Sequence, residues 1–533
     1  MLLATVVAGT LAGPRVRGLL AHSGWLTAGA LAICVPLGVL AAVAIEKTNA
    51  PGRRLLWWGL IGWMFVPLCV QTAAWQTVLG PGGWLTGWGD AAGGGAWLAG
   101  WRGAVWVHGM AGVAWVAVAP AAALRTVDPA QEEAALQDNK PLGVLRRISL
   151  PQTAPGVLAG ALWVAATCVT EISATDFFQV RTFAEEVYTQ AALGAIDAPA
   201  PGATGLTGGD LGGGVAVLAG LFAGGGLLAA GWLAPLLAEV RSQISWGGAW
   251  RWDDPRAKLL GGAVCLAVLV PVVATPAVSL FAKAGVEVEQ TDDGYYRGWS
   301  AAKAAGLVAA SPYRHRREVF WSLVIAGGAS TLAVGLAVPL AWAVRTGRLP
   351  VGVLLVLGAA ALATPSPVLA VWLIKLLNQP PDSPLAALSW WYDHTVLAPV
   401  VVQAVRAGPL ALLLVGLPLS TVPADIISAA RSDGAGWWST LLRIAVPMRL
   451  PALAAAWLLA LVHAGADAGA TLLVAPPGAA TLTMRTFSLL HYGAQDDVAA
   501  LCLALLLGVA ASAAIAAACL RVGRLRADTQ RLR

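Results

Sequence analysis

The sequence predicts an all-α fold: a polytopic helical membrane protein made of two parallel-repeat halves. Three observations carry this expectation. The residues are 58% hydrophobic and only 12% charged, with a mean hydropathy of +0.71, far from the composition of a soluble domain. Apolar runs of about 20 residues, the length that crosses a hydrocarbon core roughly 30 Å thick, recur along the whole chain. Finally, two polar islands echo one another, with Pro151 and Pro447 at equivalent places 296 residues apart.

The apolar runs fall near 25–45, 55–78, 98–123, 154–174, 211–238, 259–282, 319–344, 351–376, 396–419, 451–474 and 497–520. This is about eleven transmembrane helices. Residues 1–13 are apolar but too short to span alone, and Pro14-Arg15-Val16-Arg17 follows directly. They read as part of a twelfth helix, a signal-like start, or a non-spanning segment. The six cysteines (Cys34, Cys69, Cys168, Cys265, Cys502, Cys519) all lie in apolar runs without C-x-x-C spacing, which marks small core hydrophobes rather than disulfides or metal ligands.

Basic residues set the orientation. Lys47, Arg53 and Arg54 follow the first span. Arg125, Lys140, Arg146 and Arg147 occupy the first island, and Arg241, Arg251, Arg256 and Lys258 lie between the halves. Arg345 and Arg348 follow the seventh span, Arg431 and Arg443 sit in the second island, and Arg521, Arg524, Arg526, Arg531 and Arg533 form the tail. Alternating eleven spans puts all of these groups on the cytoplasmic side. The net charge of +6 is thereby explained by topology and calls for no nucleic acid. The loop 283–318 runs against the rule: it should face outward, yet it carries Arg314, Arg316 and Arg317 beside Glu287, Glu289, Asp292 and Asp293.

The first island reads Glu132-Glu133-Ala134, then Asp138, then Ile148-Ser149-Leu150-Pro151; the second reads Ser428-Ala429-Ala430, then Gly434, then Ile444-Ala445-Val446-Pro447. The duplication continues around them. Val35-Pro36-Leu37 matches Val338-Pro339-Leu340, and Glu171-Ile172-Ser173-Ala174-Thr175 matches Asp467-Ala468-Gly469-Ala470-Thr471. An even number of spans separates the islands, so the repeat is parallel. Each island predicts a short cytosolic helix, a turn at Asp138 or Gly434, a second short helix, and re-entry into the membrane at the proline. An ordinary amphipathic loop on the lipid surface would explain one such island, but hardly two in register.

The pattern Glu-Ala-Ala, three residues, Gly, nine residues, Ile, one residue, Leu-Pro resembles the cytosolic signature of permeases of binding-protein-dependent ABC importers. The second copy keeps Ala429, Ala430, Gly434, Ile444 and Pro447, with Ser428 for Glu and Val446 for Leu; the first keeps Glu132, Ala134, Ile148, Leu150 and Pro151, with Glu133 for Ala and Asp138 for Gly. The resemblance covers most of both halves and implies the type I importer permease fold with about 11–12 transmembrane helices. It divides the chain into an N-terminal segment 1–24, a first permease half 25–238, a linker 239–317 with one extra helix and an external loop, a second permease half 318–520, and a basic cytosolic tail 521–533. It further implies that the islands are coupling helices seated on ATPase subunits. By that reading Glu132 offers a carboxylate to an ATPase arginine that Ser428 lacks, while Asp138 lacks the flexible glycine of Gly434. No G-x-x-x-x-G-K-[ST] phosphate loop is found in the sequence. The chain is therefore expected to be a transporter subunit rather than an enzyme, with no cofactor of its own. ATP would be bound by two partner ABC ATPase subunits (a homodimer), and solute would arrive on an extracytoplasmic binding protein. The location implied is the bacterial inner membrane.

Within that family the segments 470–478, Thr481-Leu482-Thr483-Met484-Arg485, His491-Tyr492-Gly493 and Ala499-Ala500-Leu501 are most similar to the fused permeases of ferric-iron importers. Fused permeases for thiamine and similar solutes look alike, and an ion-gradient-driven secondary transporter shares the repeat geometry. Glu171 and Asp467 occupy one repeat position at the ends of their spans, where an acid is costly unless it meets water, a partner or a pathway. They read either as a negative throat suited to a cation, or as caps of a broken helix paired with a base such as Arg181 or Arg485. The histidines His22, His108, His315, His394, His463 and His491 are scattered and read as core or interfacial residues rather than metal ligands.

Overall fold

The computed structural model describes residues 13–80, 83, 97–196, 205–240, 250–291, 294–492 and 495–531. Residues 1–12, for which the extra half-helix was considered, and residues 241–249 of the charged stretch 239–258 lie outside this description, as do the last two residues of the tail. Among the described residues, nine helices are long and apolar enough to cross a membrane, and two bent helix pairs bring the total to eleven if each pair is one span.

The first half begins with α1 (Pro14–Lys47). Pro14 occupies the first helical turn, where its missing N–H costs nothing, so the helix starts eleven residues before the apolar run and the boundary expected at residue 25 falls inside it. Next come α2 (Arg53–Trp63) and α3 (Leu68–Leu79), then α4 (Gly100–Leu124), the short α5 (Pro129–Asp138) and α6 (Pro141–Thr170). Two short helices, α7 (Ser173–Phe177) and α8 (Phe183–Ala192), lead to α9 (Gly208–Val240). The extra span α10 (Pro255–Ala284) is followed by a two-stranded antiparallel hairpin, β1 (Val286–Thr291) and β2 (Gly294–Trp299), paired from Val286↔Trp299 to Thr291↔Gly294. This hairpin is a small departure from an all-α chain. Helix α11 (Ala301–Arg314) completes the segment.

The second half repeats the first. It contains α12 (Arg316–Arg345), the bent pair α13 (Val351–Ala363) and α14 (Ser366–Leu377), a short α15 (Ala387–His394), and α16 (Leu397–Ser420). The short α17 (Ala424–Ser432) precedes α18 (Trp437–Ala466), α19 (Gly469–Val474), α20 (Leu482–Tyr492) and α21 (Gln495–Arg531).

Each half packs three long helices on one another: α1, α4 and α6 in the first, α12, α16 and α18 in the second. Small residues make this possible. Ala329, Ala333, Ala337 and Ala341 line one side of α12 and meet Ala407 and Ala411 of α16 in a buried cluster. Close backbone approach of this kind replaces the hydrophobic drive that lipid does not supply.

The runs expected at 55–78 and 351–376 are not straight helices. They bend by 116° and 95° respectively. Pro67 and Pro365 stand at the two breaks, 298 residues apart. A proline pushes the residue before it out of the helical region, and Thr364 is extended accordingly, with ψ 117°. In the first break Gln71 fills the gap: its amide donates to the Val66 carbonyl (3.1 Å) and accepts from the Trp63 indole (3.0 Å).

The halves also exchange helices. Residues of α21 (Val498, Ala499, Ala500, Cys502) are buried with α3 residues Cys69 and Val70 in the largest core. Reciprocally, Leu211, Val215 and Leu218 of α9 are buried with Ala359 and Ala363 of α13.

Candidate functional site: the polar islands and the central helix breaks

The islands come first. Asp128 caps α5 by accepting from the Ala130 N–H at 2.9 Å, and the helix presents Glu133 and Ala134 to solvent. Glu132 points the other way. It is 0% exposed, and its carboxylate accepts two hydrogen bonds from Lys47 Nζ (2.6 and 2.7 Å) and one from Ser149 Oγ (2.5 Å). The expectation that Glu132 offers its charge to a partner arginine is corrected on this point: the carboxylate neutralises the buried end of α1. The counterpart Ser428 is exposed and donates only to the Ala424 and Asp425 carbonyls of its own helix.

The turns differ too. After α17, Gly434 has φ +80°. Its N–H donates to the Arg431 carbonyl, while the Ala435 N–H donates to Ala430 (2.9 Å), the paired capping arrangement that needs a left-handed residue. Asp138 is simply the last residue of α5. The extended Asn139 makes that turn, so nothing is lost by the absence of glycine there.

The second short helix does not stop at the proline. In both halves it runs unbroken into the membrane as part of a 30-residue helix, with a π turn at Leu145–Ser149 and Leu441–Ala445. Pro151 and Pro447 stand one residue beyond these turns, each of which is closed by the intervening residue: the Leu150 N–H donates to Leu145 and the Val446 N–H to Leu441, five residues back. Ile148, Leu150, Ile444 and Val446 are half-buried here, and Pro151 and Pro447 are exposed. Expecting a helix start at each proline missed this continuity: motion of either island is carried directly by a membrane helix.

The inner ends of α6 and α18 bring Glu171 and Asp467 to the centre, each at the C-cap of its helix. Glu171 accepts from the Ser173 N–H (2.7 Å), the Ser173 hydroxyl and the Ala174 N–H (3.3 Å). Asp467 accepts from the Gly469 N–H (2.9 Å) and the Ser366 hydroxyl. Both carboxylates therefore cap the short helices α7 and α19 that follow the break, as acids at helix N-termini do. His108 Nε2 stands 4.0 Å from Glu171.

Asp467 is also paired with a base, but with Arg406 (3.3 Å) rather than Arg485. Arg406 lies inside the apolar run of α16 and is the residue sequence reasoning passed over. An arginine in mid-span is itself the signal that finds it. Its guanidinium donates to Thr170 Oγ1 of the first half at 2.8 Å and leans on the Ala361, Leu362 and Thr364 carbonyls left open at the α13 break (3.4–3.5 Å). One side chain thus ties both halves and one break together. Beside it Gly469 faces Ile172, and a Cβ there would lie 3.0 Å from Ile172 Cγ1. Further out, Asp176 of α7 meets His491 of α20 at 3.1 Å. Among the described residues no group of three or more histidine, cysteine or acidic side chains is placed to hold a metal ion.

Residues 333–523 match the family model described as binding-protein-dependent transport system inner membrane component. The chain is similar to the putative 2-aminoethylphosphonate transport system permease protein PhnV of Salmonella typhimurium, 37% identical over 87 residues, which are 16% of this chain and 33% of the relative. It is also similar to the putative molybdenum transport system permease protein YvgM of Bacillus subtilis, 33% identical over 93 residues, 17% of this chain and 41% of the relative. The chain thus spans less than half the length of the curated relatives it matches. The class defined by fold and match is a helical multi-pass membrane protein. Within it, residues 333–523 are similar to an inner-membrane component of binding-protein-dependent transport systems.

Proposed function

We propose that the chain is the permease subunit of an ATP-driven, binding-protein-dependent importer, both of its halves serving one pathway. The observation that carries this is the pair of cytosolic islands, each continuous with a 30-residue membrane helix that ends at a central break. The island residues already named, Glu133, Ala134, Ser428 and Ala429 among them, present the surface to two ATPase subunits, and an external binding protein delivers the solute. The test is reconstitution. The purified chain alone should hydrolyse no ATP, and uptake in proteoliposomes should require ATP-binding subunits. Gradient-driven uptake by the chain alone would overturn the reading in favour of a secondary transporter.

For the solute, the segment 470–501 supports ferric iron, the assignment the resemblance brought. A small oxyanion is the second reading. It is favoured by Arg406 at the meeting of the halves and by the names of the relatives, a phosphonate and a molybdenum permease. Glu171 and Asp467 fit the pathway as cap residues that hold its walls, their oxygens already engaged. Competition of labelled ferric iron, molybdate and 2-aminoethylphosphonate for ATP-dependent uptake separates the two. Uptake of iron insensitive to both oxyanions would remove the second reading.

A further inference from the structure

The two halves treat the same cytosolic corner differently, and the difference defines a site. In the first half the cations around the foot of α1 have acids of this chain beside them. Lys47 is held by Glu132 (2.6 Å), Arg125 by Glu46 (2.6 Å) and Lys258 by Asp253 (3.0 Å). The corner is also covered. The Trp252 N–H donates to the Lys47 carbonyl (2.8 Å), Thr48 pairs with Trp252 in a parallel bridge, and Asn49 donates to Asp253 (2.6 Å). Residues 250–254, which carry Asp253 and Asp254 beside Arg251, thus lie against Lys47, Thr48 and Asn49.

In the second half the equivalent corner is a cleft of about 280 Å³ between the foot of α12, the cytosolic α17 and the start of α18, lined by Trp342, Thr346, Arg348, Ile427, Arg431 and Trp437. Trp342, in its lining, is 1% exposed, and the two cations of the lining are Arg348 and Arg431. Arg348 lies over the Trp437 ring at 5.2 Å. Neither Arg348 nor Arg431 pairs with an acid among the described residues, and both are exposed. The Thr346 hydroxyl is already engaged, accepting from Trp437 (3.0 Å) and donating to the Trp342 carbonyl (2.9 Å). Two guanidiniums without an acid partner ask for a carboxylate.

We propose that this cleft receives an aspartate or glutamate side chain of an ATP-binding partner subunit, so that the second half takes from its partner the acid that the first half supplies from its own chain. The inference rests on the importer reading. Two features argue for a protein-borne carboxylate over a free anion. One wall is the helix α17 that the importer reading places against the ATPase. And the first half fills its own corner with acids carried on protein segments.

The experiment measures the affinity of the detergent-purified full chain for its ATP-binding subunit. The variants are Arg348→Gln with Arg431→Gln, and Arg348→Glu with Arg431→Glu. Elution and thermal unfolding unchanged from wild type establish that each is folded. Neutralising both arginines should weaken binding about tenfold and flatten its dependence on salt, and reversing them should weaken it about a hundredfold. One acid-to-lysine change on the ATP-binding subunit should restore the reversed pair. Unchanged affinity in folded variants overturns the proposal. So does saturable binding of inorganic phosphate or sulfate to the chain alone, abolished by the same substitutions, since the occupant is then a free anion. Failure of the wild-type chain to bind any ATP-binding subunit is a different result: it sinks the importer reading, and this inference with it.

Discussion

Glu132 and Ser428 occupy one position of the repeat and carry opposite costs. Glu132→Ala would leave Lys47, 1% exposed, without a counter-charge, and uncompensated buried charge costs about 3–5 kcal/mol. Ser428→Ala removes only hydroxyl bonds to its own exposed helix and should change stability by less than about 0.5 kcal/mol. Thermal unfolding in detergent distinguishes the two. His491 gives a second test at this scale. Its Nδ1 lies 2.9 Å from the Phe487 carbonyl and its Nε2 faces Asp176. Both ring nitrogens meet acceptors, and only the imidazolium donates to both. The bond to Asp176 holds the imidazole above its usual 6.5. Because the folded value is the higher one, this contact between the halves stabilises fully below about pH 6.5 and fades as pH rises through the raised value. His491→Gln should abolish that step in a series of melting curves taken from pH 5 to 9.

Among the elements, the turn after α17 is the most specific. Gly434→Ala places a Cβ on a residue with φ +80° and should cost about 1–2 kcal/mol, whereas Asp138→Ala should be nearly neutral, because that residue ends a helix with ordinary geometry. Thermal unfolding of the two variants side by side checks the contrast. Element existence was readable in the sequence because long apolar runs and a register of 296 residues between Pro151 and Pro447 are signals that side-chain packing cannot erase. The bends at Pro67 and Pro365 were not read, since hydropathy is blind to direction and the apolar run continues through each break; the prolines were the available sign. The π turns escaped for a related reason: a proline was taken as a helix start, and it proved to be accommodated within one. Arg406 was hidden by its surroundings. A single charge hardly lowers the mean hydropathy of a 24-residue helix, though its partners, Asp467 and Thr170, make it the most connected side chain at the centre.

At the level of the whole molecule, the reciprocal burial of α21 on α3 and of α9 on α13 means that neither half owns a complete core. Expressed alone, residues 1–250 and 251–533 should each fail to give a monodisperse protein, while the two fragments made together should associate and co-elute; a folded, monodisperse first fragment would refute this. The meeting of the breaks supplies the other prediction. Gly469→Val would press against Ile172, at 3.0 Å from the first added carbon, and should lower ATP-dependent uptake severalfold with little effect on assembly with ATP-binding subunits, measured by uptake and co-purification in parallel.

Covalent continuity between the halves has one more effect. Two identical permease chains would present two identical corners, both sealed or both open, and a change in one would be inherited by the other. A single polypeptide frees the corners to diverge: the Lys47–Glu132 pair and the cleft at Trp342 persist side by side in every molecule, in a fixed ratio of one to one. On the importer reading proposed above, identical ATP-binding subunits arriving at this chain would therefore meet two distinguishable berths.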